Sequence, residues 1–236
     1  MLEIKRLNSG YRRLHVLFDI DMLIEDNKIN VIVGPNGSGK STLLKSIFGL
    51  TTIYSGSIKY DGRELVGLPP HEVAKRGVAY LPQVDNVFAN LTVAENMTMA
   101  GYTLPRDEVA GRIEEVAEMF PIIKRNWKRK AGTLSGGERQ MVAMAMALIR
   151  KPKVMMFDEP TGSLAPKIAK EVLGKIVELR DALGMTIILV EQNARRALEI
   201  GDKAYLLVSG RLVFEGDPQE LLGHPELARL YLGMGA

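Results

Sequence analysis

At 236 residues the chain is long enough for one large domain, or a main domain with a small subdomain, and its formal net charge of +3 is too small to imply nucleic-acid binding. It has no cysteine, which excludes disulfides and Cys-based zinc sites and fits a reducing compartment. No apolar run approaches the roughly 20 residues that cross a bilayer, the start MLEIKRLNSG lacks the apolar segment of a signal peptide, and no repeat or low-complexity tract interrupts the chain.

In chain order, LEIKRLN and VLFDIDMLI read as strands of an antiparallel flank, and the apolar INVIV run, Ile29 to Val33, as a buried strand. GPNGSGKS follows from Gly34 to Ser41, then the helical pattern TLLKSIFGL. This strand, loop and helix fit GxxxxGK(S/T), the P-loop pattern. A triphosphate must be wrapped by backbone N–H groups, and glycine lets the backbone approach that closely. Gly34, Gly37 and Gly39 supply that freedom, with Pro35, Asn36 and Ser38 between them. Lys40 is placed to reach the β and γ phosphates of ATP, Ser41 to ligate Mg²⁺, and Thr42 to touch the α phosphate. SGSIKYDG reads as a further strand, Pro69 and Pro70 open a helix through Lys75, and AYLPQ ends a strand.

Beyond Val84 the pattern turns helical, with Val109, Ile113, Val116 and Phe120 spaced for one buried face and Pro121 ending that helix. The run IIKRNWKRK around Trp127 reads first as a solvated rim with basic heads in water, and as a lipid-headgroup or nucleic-acid surface in a functional reading. LSGGE, Leu134 to Glu138, starts a helix whose body is ERQMVAMAMALIR, so its serine and glycines are expected to offer free N–H groups to an anion. The apolar VMMF run then delivers Asp158 and Glu159 to the C-terminal end of a parallel strand, where ligands bind in open α/β sheets. After a P-loop, Asp158 is expected to hold Mg²⁺ and Glu159 to orient or deprotonate the water that attacks the γ phosphate. KIAKEVLGKIVELRDALG reads as a helix, TIILV as a strand, AYLLVSGRLVFEG as a hairpin turning at Ser209 and Gly210, and Asp217-Pro218 as the cap of a last helix.

A chain that already has a P-loop needs no second phosphate site for the same nucleotide unless that site serves a neighbouring copy. LSGGE at this distance after the P-loop, just ahead of the acidic strand, resembles the ATP-binding cassette (ABC) family. The resemblance implies an α/β fold with a RecA-like core, an antiparallel β flank and a helical subdomain. It is a single domain over 1–236, with 1–83 and 151–236 as nucleotide-binding core and 84–150 as the helical subdomain. It implies a head-to-tail pair in which Ser135, Gly136, Gly137 and Glu138 of one cassette cap the γ phosphate on the other's P-loop. It also implies that Tyr11 stacks on adenine with Val16 beside the ribose, and that Gln83 contacts Mg²⁺ or the attacking water and begins the segment that touches the membrane partner.

Two departures stand out. The family's switch histidine is replaced in LVEQN by Gln192, which can donate a hydrogen bond to a γ phosphate but carries no proton at neutral pH; and GSLA replaces SALD, leaving Ala165 for an aspartate and putting more weight on Ser163 and the backbone. LVEQN, APK, VFANLTVAENM and a terminal YLG resemble the ATPase subunits of branched-chain or related amino-acid importers, while Pro82-Gln83-Val84-Asp85 departs from that subfamily. The expected partners are permease subunits, a second cassette, paralogous or identical, and indirectly an extracytoplasmic binding protein, with no nucleic acid. The expected location is the cytoplasmic face of a membrane. Val87, Phe88 and Leu91 then suit a groove for a short permease helix. An exporter cassette, or an ABC ATPase acting on nucleic acid or the ribosome, is the alternative. The latter group usually carries two cassettes or a long coiled-coil insertion, and neither is present.

Overall fold

A computed structural model describes residues 1–84 and 86–224. Strands β1 (Leu2–Tyr11) and β2 (Leu14–Ile24) open the chain, followed by β3 (Ile29–Val33), the loop, and helix α1 (Lys40–Ile47). Next come β4 (Thr52–Tyr60), β5 (Arg63–Glu64), α2 (Pro70–Lys75) and β6 (Val78–Leu81). Helices α3 (Val93–Ala100), α4 (Arg106–Met119), α5 (Pro121–Arg125) and α6 (Gly136–Leu148) occupy the middle. The chain returns to sheet through β7 (Val154–Asp158), α7 (Pro166–Leu183), β8 (Thr186–Val190), α8 (Ala194–Ile200), β9 (Lys203–Val208), β10 (Arg211–Gly216) and α9 (Pro218–Gly223).

The strands form an antiparallel sheet in the order β2-β1-β4-β5 and a six-stranded sheet in the order β10-β9-β3-β8-β7-β6. In the second, β3 pairs in parallel with β8 and β9, and β7 with β6 and β8; β10 alone runs antiparallel. The apolar runs of β3, β7 and β8 are buried at every position because both faces of this sheet are covered. Their period of two divides the core. Met155, Phe157, Ile187 and Leu189 face the side packed by α6 and α7, while Met156, Ile188 and Ile32 face the side closed by α1 and the antiparallel sheet. The α/β class with an antiparallel flank follows directly.

Several local expectations resolve in detail. Pro121 ends α4 and is also the first residue of α5, where its missing N–H has no cost. Val116 and Phe120 are buried, whereas Val109 and Ile113 are only partly covered. In the basic run Lys124 pairs with Glu114, and Arg129 donates to Asn126 Oδ1 and Thr133 O, so part of that charge is tied up locally. Asp217 caps α9 by accepting from Gln219 N at 2.7 Å. Helix α8, capped by Asn193, and the two-residue β5 are additions to the sequence reading. Residues 231–233, the terminal YLG, and Asp85 lie outside the described residues. Among the described residues no helix is long and apolar enough to cross a membrane.

Candidate functional site

The loop after β3 lies at the C-terminal edge of the parallel sheet, between β8 and β9. Gly34 has φ 148°, and a Cβ there would lie 2.0 Å from Leu207 O, so only glycine lets the loop pass β9. The hairpin anchors the loop from outside, with Gly210 N–H donating to Ser38 O at 2.9 Å. Lys40 is 4% exposed and folds back on the loop, its Nζ donating to Gly34 O at 2.9 Å and Pro35 O at 3.0 Å. Burial lowers its pKa, against the nearby charges of Glu159 and Asp158. Ser38 Oγ is buried with no partner among the described residues, an orphan that a phosphate-wrapping loop would be expected to hold.

The end of β7 faces this loop. Asp158 is buried and accepts from Ser41 Oγ at 2.7 Å on one oxygen and from Tyr80 Oη at 3.0 Å on the other. Tyr80, on the edge strand β6, is a functional neighbour the sequence reading missed, since nothing in VAYL distinguishes it from a core tyrosine. Glu159 follows in the left-handed region, φ 49°, its N–H donating to Val190 O at 2.9 Å and its Oε2 accepting from Gln83 Nε2 at 3.0 Å. Val16, Asn36, Gly37, Thr42, Gln83, Glu159 and Gln192 all line one open cleft of about 520 Å³ with Lys40 and Ser41. Tyr11 stands beside it, 39% exposed, with its hydroxyl 3.4 Å from Thr42 Oγ1, longer than an ordinary O–H···O bond. A larger cleft, about 750 Å³, opens at the other end of the parallel sheet near Asn27, Lys153 and Thr186 and holds none of these residues.

At the start of α6 the expectation of free N–H groups needs correction. Ser135 and Glu138 form a capping box: Ser135 Oγ accepts from Glu138 N–H at 3.3 Å and the Glu138 carboxylate accepts from Ser135 N–H at 2.9 Å. That leaves the Gly136 and Gly137 N–H groups without a partner among the described residues. These two glycines are also packing positions, because a Cβ would meet Leu164 Cδ2 at 2.7 Å or Ile168 Cγ2 at 2.3 Å. None of the four residues from Ser135 to Glu138 lines the cleft of the same chain. Ala165 is the N-cap of α7 and makes no side-chain capping bond, and Ser163 is exposed at φ 63°.

Of the apolar residues after Gln83, Val87 is packed against the core, Leu91 is partly covered and Phe88 is 51% exposed. A groove of about 240 Å³ runs along β6 between Tyr80, Pro82, Asn86 and Met146, and Val87, Phe88 and Leu91 are not among the residues that line it.

The loop after β3 and the acidic end of β7 are joined through Ser41 and Asp158 beside one cleft, and the glycine pair at the start of α6 is not among the residues that line it. Residues 17–162 match the family model described as ABC transporter. The chain is 57% identical over 234 residues, 99% of each chain, to the probable branched-chain amino acid transport ATP-binding protein LivF of Archaeoglobus fulgidus. It is 40% identical over 233 residues, 99% of this chain and 100% of the relative, to the high-affinity branched-chain amino acid transport ATP-binding protein BraG of Pseudomonas aeruginosa. A dimeric post-hydrolysis structure of the ATP-binding cassette MJ0796, bound to ADP and Pi, matches with a TM-score of 0.80 at 26% identity, covering 92% of this chain and 99% of that one. The chain therefore belongs to the ABC transporter family, as one of its ATP-binding, ATP-hydrolysing cassettes.

Proposed function

We propose that this cassette powers the import of branched-chain or related hydrophobic amino acids through a membrane permease, working with a second cassette on the cytoplasmic face and, through the permease, with an extracytoplasmic binding protein. The observation that carries the cargo is the end-to-end likeness to two relatives named for branched-chain amino-acid transport. In this reading the triphosphate of ATP lies along residues 34–42, and Lys40 exchanges the Gly34 and Pro35 carbonyls for β and γ phosphate oxygens. Tyr11 stacks on adenine with Val16 by the ribose. Mg²⁺, when bound, neutralises charge that develops on the phosphates. The Ser41 hydroxyl, the Asp158 carboxylate and the Gln83 carbonyl suit it as hard oxygen donors. Glu159 takes the proton of the attacking water or fixes its direction, and Gln192 donates to the γ phosphate.

Ser135, Gly136 and Gly137 of the second cassette close the site over that phosphate. Each nucleotide then touches both chains only in the closed pair, so ATP binds that state more tightly and shifts the population towards it. Hydrolysis removes the bridging group and the pair separates. The groove along β6 suits a short permease helix.

The test is affinity capture of tagged Glu159→Gln with Mg-ATP from detergent-solubilised native cells. Recovery of polytopic membrane subunits and a second cassette is expected. Recovery of ribosomes or nucleic acid, without a membrane subunit, would replace this reading with a non-transport one.

A further inference from the structure

The peptide unit that joins Pro160 to Thr161 is held from two sides by buried groups. Its carbonyl accepts from Gln140 Nε2 at 2.8 Å, and its N–H donates to Glu191 Oε1 at 2.9 Å. Gln140 projects from α6 and is 7% exposed; Glu191 follows β8 and is 2% exposed. A buried amide and a buried carboxylate are each costly unless satisfied, and here both are directed at one peptide. The second oxygen or amide function of each is also engaged. Gln140 Oε1 accepts from Asn86 Nδ2 at 2.5 Å, and Glu191 Oε2 accepts from Gln192 N–H at 3.2 Å.

The peptide so held comes directly after Glu159, whose left-handed backbone is strained for a residue with a Cβ and persists only where the surroundings determine it. Val190 O fixes Glu159 from its N-terminal side, and Gly162 N–H donates to Glu159 O at 3.1 Å. We infer that Gln140 and Glu191 are positioning residues for hydrolysis: a two-sided clamp on the Pro160–Thr161 peptide that sets the direction of the Glu159 carboxylate. Asn86 ties the clamp to the segment after Gln83, and the Gln192 backbone ties it to the loop after β8. A rotation of α6, or a shift of the chain around Asn86, is thereby passed to the residue that acts on water. The inference rests on the reading of Glu159 given under the proposed function.

Steady-state ATP hydrolysis by the full chain is compared for wild type, Gln140→Met, Glu191→Gln, Glu159→Gln, and the combinations. Misplacing a reacting group by about 1 Å costs on the order of a hundredfold, so Gln140→Met is expected to lower kcat by about ten- to a hundredfold with the KM for ATP little changed. Because both clamp residues act on one peptide, Gln140→Met with Glu191→Gln should lose less than the product of the single losses. In a Glu159→Gln background, Gln140→Met should remove nothing further.

A wild-type kcat for Gln140→Met beside an inactive Glu159→Gln overturns the clamp and leaves the Glu159 reading intact; an equal further loss in the Glu159→Gln background overturns it too. Wild-type hydrolysis by Glu159→Gln would instead remove the reading on which the clamp depends. Should Gln140→Met not fold, Asn86→Ala leaves Gln140 in place, and amide exchange at Thr161 is measured by mass spectrometry. Faster exchange supports the clamp, and unchanged exchange overturns it.

Discussion

Ser41 Oγ lies 2.7 Å from Asp158 Oδ1, so the first turn of α1 is hydrogen-bonded to the buried end of β7. The two sequence elements that first pointed to a nucleotide are thus in contact, although 117 residues separate them. The bond presents a hydroxyl and a carboxylate together, an arrangement suited to a hard cation beside a phosphate.

Ser41→Ala should therefore separate metal-dependent from metal-independent nucleotide binding. Asp158 keeps its bond from Tyr80, so the end of β7 remains held. ATP affinity measured in EDTA should barely change, while the gain on adding Mg²⁺ should shrink by about tenfold, the size of one charge-assisted interaction. Equal Mg²⁺ enhancement in wild type and variant would remove Ser41 from the metal site.

Lys40→Met tests the other end of the loop. The lysine is buried near the charges of Asp158 and Glu159 and donates to two carbonyls, so an apolar chain of similar length leaves buried Asp158 less compensated and both carbonyls without that donor. The melting temperature should fall, while ATP affinity drops by at least about tenfold through loss of a charged donor. Titration with a fluorescent ATP analogue beside a thermal melt reads both. Retained affinity would show that the lysine serves the loop rather than the nucleotide.

The parts legible in the sequence are those whose chemistry is local. The P-loop, the acidic strand end and the LSGGE helix start each need particular residue types at fixed spacing, and the continuous apolar runs of β3, β7 and β8 announce strands covered on both faces. What stayed hidden depends on distant contacts. Tyr80 reads as an ordinary strand residue until the pairing of β6 with β7 brings its hydroxyl to Asp158. At the start of α6 the sequence leads to an expectation of free N–H groups, whereas the capping box engages two of its donors, even though Ser135 and Glu138 have the required spacing. Helix α8 had a usable signal in Asn193, a good N-cap, placed directly after the residues read for their chemistry.

Gly137 joins the LSGGE turn to α7 by contact alone. A methyl group there would lie 2.3 Å from Ile168 Cγ2, on a branched side chain with little freedom to turn away. Gly137→Ala should destabilise the protein by about 1–3 kcal/mol, as overpacking does, and displace the two elements. Ile168→Ala in the same chain should recover most of that loss. Denaturant unfolding of the single and double variants measures the coupling, and additive losses would mean that the two residues do not meet.

Gln192 lines the cleft while its side chain stays exposed, so its removal disturbs little of the fold. Gln192→Ala should leave the melting temperature and ATP affinity nearly unchanged and lower kcat by about tenfold, as expected for one donor that strengthens towards the transition state. Hydrolysis at the wild-type rate would end its assignment to the γ phosphate.

Ala165 offers a prediction in the opposite direction, a gain of stability. It occupies the N-cap of α7 with φ −59° and ψ 147°, and its methyl group satisfies none of the free N–H groups at the start of an 18-residue helix. Pro166 follows at the first helical position, where it needs no acceptor. An aspartate at 165 can accept from the next N–H groups in the turn and places negative charge at the positive end of the helix dipole. Ala165→Asp should add about 1 kcal/mol, which for a domain of this size raises the melting temperature by roughly 2–4 °C. Because the contribution requires an ionised carboxylate, it should be present near neutral pH and fade as the pH falls through the carboxylate range, and Ala165→Asn should retain the capping part without that pH dependence. Melting curves of the three proteins at neutral and acidic pH decide the matter; an aspartate that stabilises no better than alanine at neutral pH would show that the turn from Gly162 to Ala165 holds its N–H groups away from the side chain.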